Sequence, residues 1–396
     1  MRRLLPMVVL TVLALAARLR AQGATLDVTG VVFLDRDGNG VRDRGEAGIP
    51  NVVVSDQIQV VRTGAEGSFR ISASSGWGMI FVSVPDGYRS VGPFWRETRF
   101  AAANTPIEFA LAPAPTPAEF LFIHASDTHV SEQSVVRTQL LRSLVDSLKP
   151  AFVLITGDLV RDALRVPEEE ALAYFKLFQQ EAAQFHVPLW TSPGNHDTFG
   201  IERHRSLVSP KHPLYGRGMY RHLLGPDYYS FTTGGIHFIG LNTVDIDDLW
   251  YYGHVDSTQV EWLRRDLAQV PPEMPVITFN HIPFFTAVET INGYMDGPPA
   301  PTAITVGGRT QFRHAVSNAG AVIGLISAGH PYPLALGGHM HTRESLAYAG
   351  VPTRFHQAAA VIGPSDGSGL ALPSGVTVYR VKAGRIDDGT FVPLDH

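Results

Sequence analysis

Hydrophobic and polar residues alternate over short stretches in the first part of the chain, up to about residue 112. In Phe69-Arg70-Ile71-Ser72 every second side chain is apolar, which is typical of a strand with one buried face. Turns separate these brief segments, and no helical period of useful length appears. The predicted strands span residues 26–34, 51–54, 57–62, 68–72, 78–84 and 107–111. We therefore expect a small all-β sandwich domain over residues 25–112.

From residue 119 onward, apolar runs alternate with stretches of helical period. Short apolar runs bounded by turns predict buried strands, and apolar residues spaced by three or four positions predict helices. This alternation is typical of an α/β domain with buried strands. Strands are predicted at 120–125, 152–156, 187–192 and 276–279, a hairpin at 228–242, helices at 133–148, 167–185 and 258–267, and strands with turns over 353–394.

A proline-rich segment separates the two patterns. Residues 113–118 contain three prolines, which predict a stiff linker. We therefore expect the second domain to span residues 119–396.

The first 24 residues have the composition of a signal peptide. Two arginines precede an apolar run at 4–17, and small residues follow near Ala21. Because a membrane span needs roughly 18–20 apolar residues, we expect cleavage near Ala21, no membrane span in the mature chain, and a secreted or periplasmic protein. An uncleaved anchor stays open as an alternative, since two further arginines follow the apolar run.

Charge and composition narrow the chemistry of any site. The formal net charge of −5 argues against nucleic-acid binding, because proteins that bind nucleic acids need a basic surface. The chain has no cysteine, which excludes disulfides and thiolate metal ligands. A metal ion would therefore be held by His, Asp, Asn or Glu.

Side chains that suit divalent metals follow the predicted strands of the second domain. These side chains form five short clusters in the sequence. Because ligands bind beyond the carboxyl ends of strands in open α/β sheets, we expect the five clusters to converge on one crevice. Each cluster alone is more often a capped loop than a ligand set, but five in this order favour a metal site. The clusters are Asp127 with His129, Gly157-Asp158, Gly194-Asn195-His196-Asp197, Asn280-His281 and Gly338-His339-Met340-His341.

The order of these clusters resembles the motifs of the calcineurin-like metallophosphoesterase superfamily over residues 119–345. The resemblance implies a four-layer α/β/β/α sandwich with two divalent cations, Mn, Fe or Zn. The ligands that it implies are Asp127, His129 and His341 for one cation, Asn195, His281 and His339 for the second, and Asp158 as the bridge. It places His196 in the second-sphere catalytic position, and we expect Asp197 to orient its ring.

Three positions depart from relatives. Arg161 stands where purple acid phosphatases carry a tyrosine ligand, and His129 stands where they usually carry glycine, so that branch is not expected. Asn242 occupies a place where many relatives carry aspartate.

The predicted activity follows from the chemistry of phosphoesters, whose negative charge repels a nucleophile. Two cations roughly 3.5–4 Å apart lower the pKa of a bridging water and neutralise the phosphoryl oxygens. We therefore expect an exported phosphoesterase that uses a hydroxide between the metals against small phosphomono- or phosphodiesters. The alternatives are a nucleotide or nucleotide-sugar hydrolase, a phosphoprotein phosphatase and, in another class, a surface binding protein with a relic metal fold.

The sequence identifies the residues that contact the substrate less specifically than it identifies the metal ligands. The basic stretch 198–225 is either a solvated loop or the source of a cation that grips a further phosphate. Phe284, Phe285 and Tyr294 either pack in the core or form a stacking wall, and His254 is a candidate for the mouth of the site.

Residues 35–46 have the spacing of a calcium loop. Gly40 stands at the position of the sharp turn, but the flanks are strand-like, so a helix-loop-helix hand is not expected. The candidate ligands are Asp35, Asp37, Asn39, the carbonyl of Val41, Asp43 and Glu46. With Pro85-Asp86-Gly87-Tyr88, the segment resembles the B-repeat domains of bacterial surface adhesins, which implies a β-sandwich stiffened by Ca²⁺. The alternative is an acidic turn without an ion.

Overall fold

The computed structural model describes residues 27–72, 77–98, 106–288, 302–363 and 373–394. The predicted leader, 1–24, lies outside the described residues. Within the described ranges, no helix combines the length and the apolar character that crossing a bilayer requires.

Two four-stranded sheets form the N-terminal region. The strands are β1 Asp27–Leu34, β2 Val53–Ser55, β3 Val60–Arg62, β4 Ser68–Ser72, β5 Met79–Ser83, β6 Tyr88–Ser90, β7 Trp95–Glu97 and β8 Ile107–Pro113. The sheet orders are β4-β1-β8-β6 and β3-β2-β5-β7. In β4, Phe69 and Ile71 are buried while Ser68 and Arg70 are exposed, as the alternation predicts. The predicted all-β region is confirmed, with β6 and β7 as strands that the sequence pattern did not indicate.

The first sheet of the second region has the order β11-β10-β9-β22-β23, with β24 also pairing with β22. Its strands are β9 Glu119–Ala125, β10 Phe152–Thr156, β11 Leu189–Ser192, β22 Gly375–Lys382, β23 Arg385–Ile386 and β24 Thr390–Pro393. Strands β9, β10 and β11 are parallel, whereas β22 runs antiparallel to β9.

The second sheet has the order β12-β13-β16-β19-β21-β20, with parallel strands in its centre. Its strands are β12 Tyr229–Thr233, β13 Ile236–Gly240, β16 Val276–Phe279, β19 Leu334–Gly337, β20 Glu344–Ala347 and β21 Arg354–Gln357. Two hairpins stand apart, formed by β14 Val244–Asp247 with β15 Trp250–Gly253, and by β17 Ala303–Val306 with β18 Arg309–Phe312.

Helices pack on the outer faces of the two sheets. The helices in the described residues are α1 Val135–Leu148, α2 Glu168–Ala182, α3 Arg203–Ser206, α4 Gly218–Leu224, α5 Ser257–Leu267 and α6 Ala319–Ser327. Buried residues of α1 and α2 pack in one hydrophobic cluster with β9 and β10, and those of α5 and α6 pack in another with the second sheet. The four-layer α/β/β/α architecture is confirmed.

Aromatic side chains fill the space between the two sheets. Phe122 of β9 stacks on Phe152 of β10 at 5.2 Å, and Phe152 meets Phe238 of β13 edge-on at 5.2 Å. On the opposite face of the first sheet, Ile123 and Val153 pack against the helices. Both faces of these strands are therefore buried, which explains their continuous apolar sequence.

The N-terminal region is packed firmly on the second region. Gln57 donates to Asp227 Oδ1 at 3.0 Å and to the carbonyl of Tyr228 at 2.9 Å, and all three residues are buried. Trp262 of α5 donates to Ser55 Oγ at 3.1 Å. Apolar side chains of both regions also share one hydrophobic cluster. Separating the regions would expose that apolar surface to water, so we expect the two regions to move as one body.

Candidate metal centre

The predicted ligands follow five strands at one edge of the two sheets. Asp127 follows β9, Asp158 follows β10, Asn195 follows β11, His281 follows β16, and His339 follows β19. These positions are the carboxyl ends of parallel strands, as expected for a ligand site in an α/β sheet.

The backbone at this edge adopts a conformation that side chains usually avoid. The φ angle is positive at Asp127 (53°), His129 (40°), Asp158 (50°), His339 (75°) and His341 (52°). Each residue in this conformation destabilises the fold by about 1–3 kcal/mol, so surrounding contacts must hold the backbone in place. The amide of Asp127 bonds to the carbonyl of Gly157 at 3.0 Å, and the amide of His129 bonds to the carbonyl of Asp158 at 2.9 Å. Strain of this kind is concentrated at functional sites.

Glycine is required at two motif positions by close packing. A Cβ on Gly194 would lie 2.1 Å from Asp158 Oδ1, and a Cβ on Gly338 would lie 1.9 Å from Ser126 Oγ. The chain segments can therefore approach closely enough to bring their ligands together only without a side chain there.

The first ligand group contains Asp127, His129 and His341. His341 Nε2 lies 3.2 Å from Asp127 Oδ1 and 3.2 Å from His129 Nε2. Asp127 is fully buried, and no donor in the described part of the chain meets its Oδ1 with hydrogen-bond geometry. The three side chains offer ligand atoms that all lie within 4.8 Å of one another.

The second ligand group surrounds His281. Its Nε2 lies 3.2 Å from Asp158 Oδ2, 3.1 Å from Asn195 Oδ1 and 3.1 Å from His339 Nδ1. Asp158 Oδ2 also lies 3.6 Å from His129 Nε2 of the first group. Asp158 is therefore the carboxylate that the two groups share.

These distances fit a pair of divalent cations. Two ligand atoms at about 2.1 Å from one ion are roughly 3.0–3.4 Å apart at tetrahedral or octahedral angles. Imidazole nitrogens, carboxylates and an amide oxygen without sulfur suit Mn, Fe or Zn. Asp127 Oδ1 is buried and has no hydrogen-bond donor of suitable geometry among the described residues, so a nearby cation would compensate its charge. The assignment of each ligand to one ion remains a prediction.

The charges of this site are strongly coupled. Burial opposes the charge of Asp158, but the neighbouring His281 and His196 outweigh burial and hold the pKa of Asp158 well below its usual value. Burial likewise opposes a proton on His281, yet Asp158 raises the pKa of His281 to about 9. Burial lowers the pKa of His129 to about 4, which leaves this ring neutral, as a ligand must be.

His196 lies beside the ligands, and its carboxylate neighbour differs from the prediction. Its amide donates to Asp158 Oδ1 at 2.8 Å, and its ring meets the ring of His129 edge-on at 4.8 Å. His196 Nδ1 lies 3.6 Å from Asp162 Oδ1. The carboxylate beside this ring is therefore Asp162, not the expected Asp197.

Asp197 instead fixes the backbone of two site loops. Its Oδ1 accepts from the amides of Leu159 at 2.9 Å and Val160 at 3.0 Å, and its Oδ2 accepts from the amide of Gly194 at 2.7 Å. Burial and the nearby charge of Asp158 raise the pKa of Asp197 to about 6, although these amides oppose the shift. The sequence indicated an orienting role because Asp197 adjoins His196, but adjacent residues in a turn point to different neighbours.

Most basic side chains of the stretch 198–225 already have carboxylate neighbours within the protein. A substrate phosphate would have to compete with these neighbours for the same side chains. The pairs are Arg203 with Asp248, His212 with Glu168, Arg217 with Asp256, Arg221 with Asp227, and His222 with Glu97. Arg221 also lies 4.5 Å over the ring of Trp77, so part of this stretch contacts the N-terminal region.

The other candidates for substrate contact have internal partners. Phe284 is buried, and Phe285 packs against Phe355 at 4.9 Å, which favours core packing over a stacking wall. His254 Nδ1 lies 3.0 Å from Asp245 Oδ2. Tyr294 lies outside the described residues.

Two residues near the ligands were not predicted from the sequence. His314 Nδ1 lies 2.7 Å from His339 Nε2, and the ring of Tyr251 meets the ring of His339 edge-on at 5.9 Å. Neither residue belongs to a motif, and only tertiary packing brings them to the site.

The candidate calcium loop partly converges. Asp35, Asp37 and Glu46 offer oxygen atoms within 4.8 Å of one another. Asn39 Nδ2 donates to Asp37 and Asp43, both at 2.9 Å, while the side chain of Val41 is exposed. Carboxylates of Asp35 and Glu46 accept from loop amides, which closes the turn.

Comparison with family models agrees with this geometry. Residues 120–343 match the family described as calcineurin-like phosphoesterase. Residues 36–113 match the family described as the N terminal of calcineurin-like phosphoesterase.

Curated relatives include enzymes with related names. A "probable cyclic nucleotide phosphodiesterase" of Rhodococcus erythropolis is 26% identical over 260 residues, which cover 60% of this chain and 70% of the relative. A serine/threonine-protein phosphatase CPPED1 of Danio rerio is 27% identical over 139 residues, 35% of this chain. The match spans only 42% of that phosphatase.

Solved structures with a similar fold were also found. A dimetal phosphatase from Danio rerio is 14% identical with a TM-score of 0.45, covering 70% of this chain and 99% of that chain. A purple acid phosphatase from yellow lupin is 14% identical with a TM-score of 0.45, covering 93% of this chain and 68% of that chain. From the family match over residues 120–343 we conclude that the chain belongs to the calcineurin-like phosphoesterase family and is a metal-dependent phosphoester hydrolase.

Proposed function

We propose that this chain is an exported phosphoesterase that uses two divalent cations to hydrolyse small phosphomono- or phosphodiesters. The observation that carries the proposal is the position of Asp158. Its Oδ2 lies 3.2 Å from His281 Nε2 and 3.6 Å from His129 Nε2, so one carboxylate faces both ligand groups. Two cations can be held close together when they share a carboxylate ligand.

The proposed ligands divide between two positions. They are Asp127, His129 and His341 for one cation, Asn195, His281 and His339 for the other, and Asp158 for both. When bound, the cations lower the pKa of water and offset the negative charge of the phosphoryl group.

His196 is the proposed proton donor to the leaving oxygen. Its side chain is 22% exposed, so a substrate can reach it. Because Nδ1 faces Asp162, Nε2 is the nitrogen that remains for the substrate. The nearby carboxylate of Asp162 favours the protonated ring, and proton transfer of this kind contributes roughly 10²–10⁴-fold to a rate.

A substrate panel tests the proposal. Purified protein with Mn²⁺ is assayed on bis-nitrophenyl phosphate, nitrophenyl phosphate, cyclic nucleotides, nucleotide-sugars and a phosphopeptide, with the Asp158→Ala protein as the matched blank. We expect turnover of at least one small ester by the wild type and none by the variant. Equal rates in both proteins would point to a contaminant, and no turnover on any substrate would favour the binding-protein alternative.

The names of the relatives support both classes of ester. The Rhodococcus relative is named as a probable phosphodiesterase, and the Danio relative as a phosphatase. The ratio of turnover on diester and monoester substrates in the same panel separates the two possibilities.

We also propose that residues 35–46 bind Ca²⁺ and stiffen an adhesin-like β-sandwich. The convergence of Asp35, Asp37 and Glu46 supports this, because these residues occupy calcium-loop positions 1, 3 and 12. We expect added Ca²⁺ to raise the melting temperature of the full chain, and not that of a Glu46→Ala protein. The same melting temperature with and without Ca²⁺ in the wild type would contradict the proposal.

Export by a cleaved leader is the remaining part of the proposal. The supporting observation is the sequence of residues 1–24. Expression of the full chain in a bacterial host, followed by fractionation and N-terminal sequencing, tests it. We expect an exported protein whose first residue lies just after Ala21, and a cytoplasmic protein that begins at Met1 would contradict it.

A further inference from the structure

His314 lies in close contact with one of the proposed ligands. It follows strand β18, and its Nδ1 lies 2.7 Å from His339 Nε2. The two rings are nearly parallel, with centroids 4.9 Å apart and planes inclined by 22°.

The proposed ligand set defines the proton position on His339. Its Nδ1 lies 3.1 Å from His281 Nε2, within the second ligand group. A ligating nitrogen must be unprotonated, so the proton of a neutral His339 ring is on Nε2. Nε2 then donates to His314 Nδ1, and His314 is the acceptor.

The backbone that carries His314 is tied to the site. The amide of Val316 bonds to the carbonyl of Pro283 at 2.9 Å, directly after the Asn280-His281 motif. The amide of Ser317 bonds to the carbonyl of Gly253 at 2.7 Å, at the end of β15. His314 is therefore placed by two structural elements that adjoin the metal centre.

Tyr251 is a second neighbour of the His339 ring. The ring of Tyr251 of β15 meets that of His339 edge-on, and the guanidinium of Arg313 lies 4.3 Å over the Tyr251 ring. Arg313 itself is buried. His339 therefore contacts His314 and Tyr251, neither of which belongs to the ligand motifs.

We propose that His314 is a positioning residue, which accepts the Nε2 proton of His339 and so holds His339 Nδ1 toward the second cation. This inference rests on the proposed ligand set. Outer partners of this kind fix the tautomer of a ligand histidine and typically contribute 10–100-fold to metal affinity.

The test compares two substitutions of similar size in the full chain. His314→Asn keeps an acceptor near the position of Nδ1, whereas His314→Leu removes it. Binding of Mn²⁺ and its rate of release to a chelator are measured for both. The control is His186→Ala, which precedes β11 at the sheet edge opposite to the ligands.

We expect His314→Leu to weaken one of the two Mn²⁺ sites by about 10–100-fold, and His314→Asn to stay within a few-fold of the wild type. The melting temperatures of the metal-free proteins are measured as well, so that a loss of Mn²⁺ affinity can be told apart from a loss of stability. Equal loss of affinity in both variants, or no loss in either, would overturn the positioning role.

A parallel His339→Ala protein separates this inference from the ligand set. If it loses the second Mn²⁺ while His314→Leu keeps normal affinity, the ligand set stands and the role of His314 fails. If it retains both ions with normal affinity, the ligand set is wrong and the inference fails with it.

Discussion

Asp162 and Asp197 illustrate how the role of a carboxylate depends on its neighbours. Asp162 lies at ion-pair distance from His196, whereas Asp197 accepts from three backbone amides. The sequence places Asp197 next to His196, but the loop turns its carboxylate toward Leu159 and Val160. At the residue scale, the motif therefore predicted which side chains gather but not what each one contacts.

The Asp162→Asn protein should keep both cations and lose turnover. Without the carboxylate, the His196 ring holds its proton less well, so we expect kcat to fall by about 10–100-fold. Metal content by elemental analysis and kcat on the best substrate measure this. A kcat equal to that of the wild type would show that His196 does not depend on Asp162.

The Asp197→Ala protein should be less stable to unfolding than the wild type. It leaves the amides of Leu159, Val160 and Gly194 buried without an acceptor, and each such group costs about 1–3 kcal/mol. We expect the free energy of unfolding in urea to fall by at least about 2 kcal/mol. Asp146→Ala, an exposed position on α1, is the control. A variant as stable as this control would contradict the account.

At the scale of elements, the sequence predicts strands that are buried on both faces more accurately than the other strands. Strands β10 and β16 lie at the predicted bounds, 152–156 and 276–279, because both faces are apolar. The helix predicted at 133–148 starts at Val135, because Ser134 Oγ bonds to the carbonyl of His129 at 2.6 Å in a preceding turn. Strands β6 and β7 have no such apolar pattern. They form because they pair with strands β8 and β5, which lie elsewhere in the sequence.

Asn242, which stands where many relatives carry aspartate, makes hydrogen bonds within the loop after β13. Its Nδ2 donates to Asp227 Oδ2 at 2.9 Å, and its main chain pairs with the side chain of Gln259. The sequence marked this position as unusual, but it could not identify Asp227 as the partner. An aspartate at 242 would place two buried carboxylates together.

The Asn242→Asp protein should therefore be destabilised at neutral pH. The repulsion raises the pKa of one carboxyl group, so the loss of stability is largest above that pKa and is relieved as pH falls through it. We expect the difference in unfolding free energy from the wild type to be larger at pH 7 than at pH 5. A difference that does not change with pH would contradict the proposed repulsion.

At the scale of the whole molecule, Asp227 links the two regions. It accepts from Gln57 of the N-terminal region and from Arg221, whose guanidinium covers Trp77. Burial opposes its charge, but Arg221 and Arg217 outweigh burial and lower the pKa of Asp227 to about 2. The fold thus depends on a buried anion at the junction of the two regions.

This buried anion predicts how acid affects the fold. The folded pKa of about 2 is below the unfolded value of about 3.9. The ionised group therefore stabilises the fold by about 2–3 kcal/mol above pH 4, and this is lost as pH falls from 4 toward 2. In urea denaturation, Asp227→Asn should be less stable than the wild type at pH 7, with a smaller difference near pH 3. A difference that grows on acidification would contradict the sign of the shift.

The metal content of three proteins tests the central claim most directly. Wild type, Asp158→Ala and His196→Ala are equilibrated with Mn²⁺, and bound Mn²⁺ is counted by elemental analysis. The buffer contains Ca²⁺ to compete with Mn²⁺ for the proposed calcium loop at 35–46. We predict two Mn²⁺ ions in the wild type and in His196→Ala, with turnover lost in the latter, and fewer than two in Asp158→Ala. Two tightly bound Mn²⁺ ions in Asp158→Ala would contradict the shared carboxylate on which the account depends.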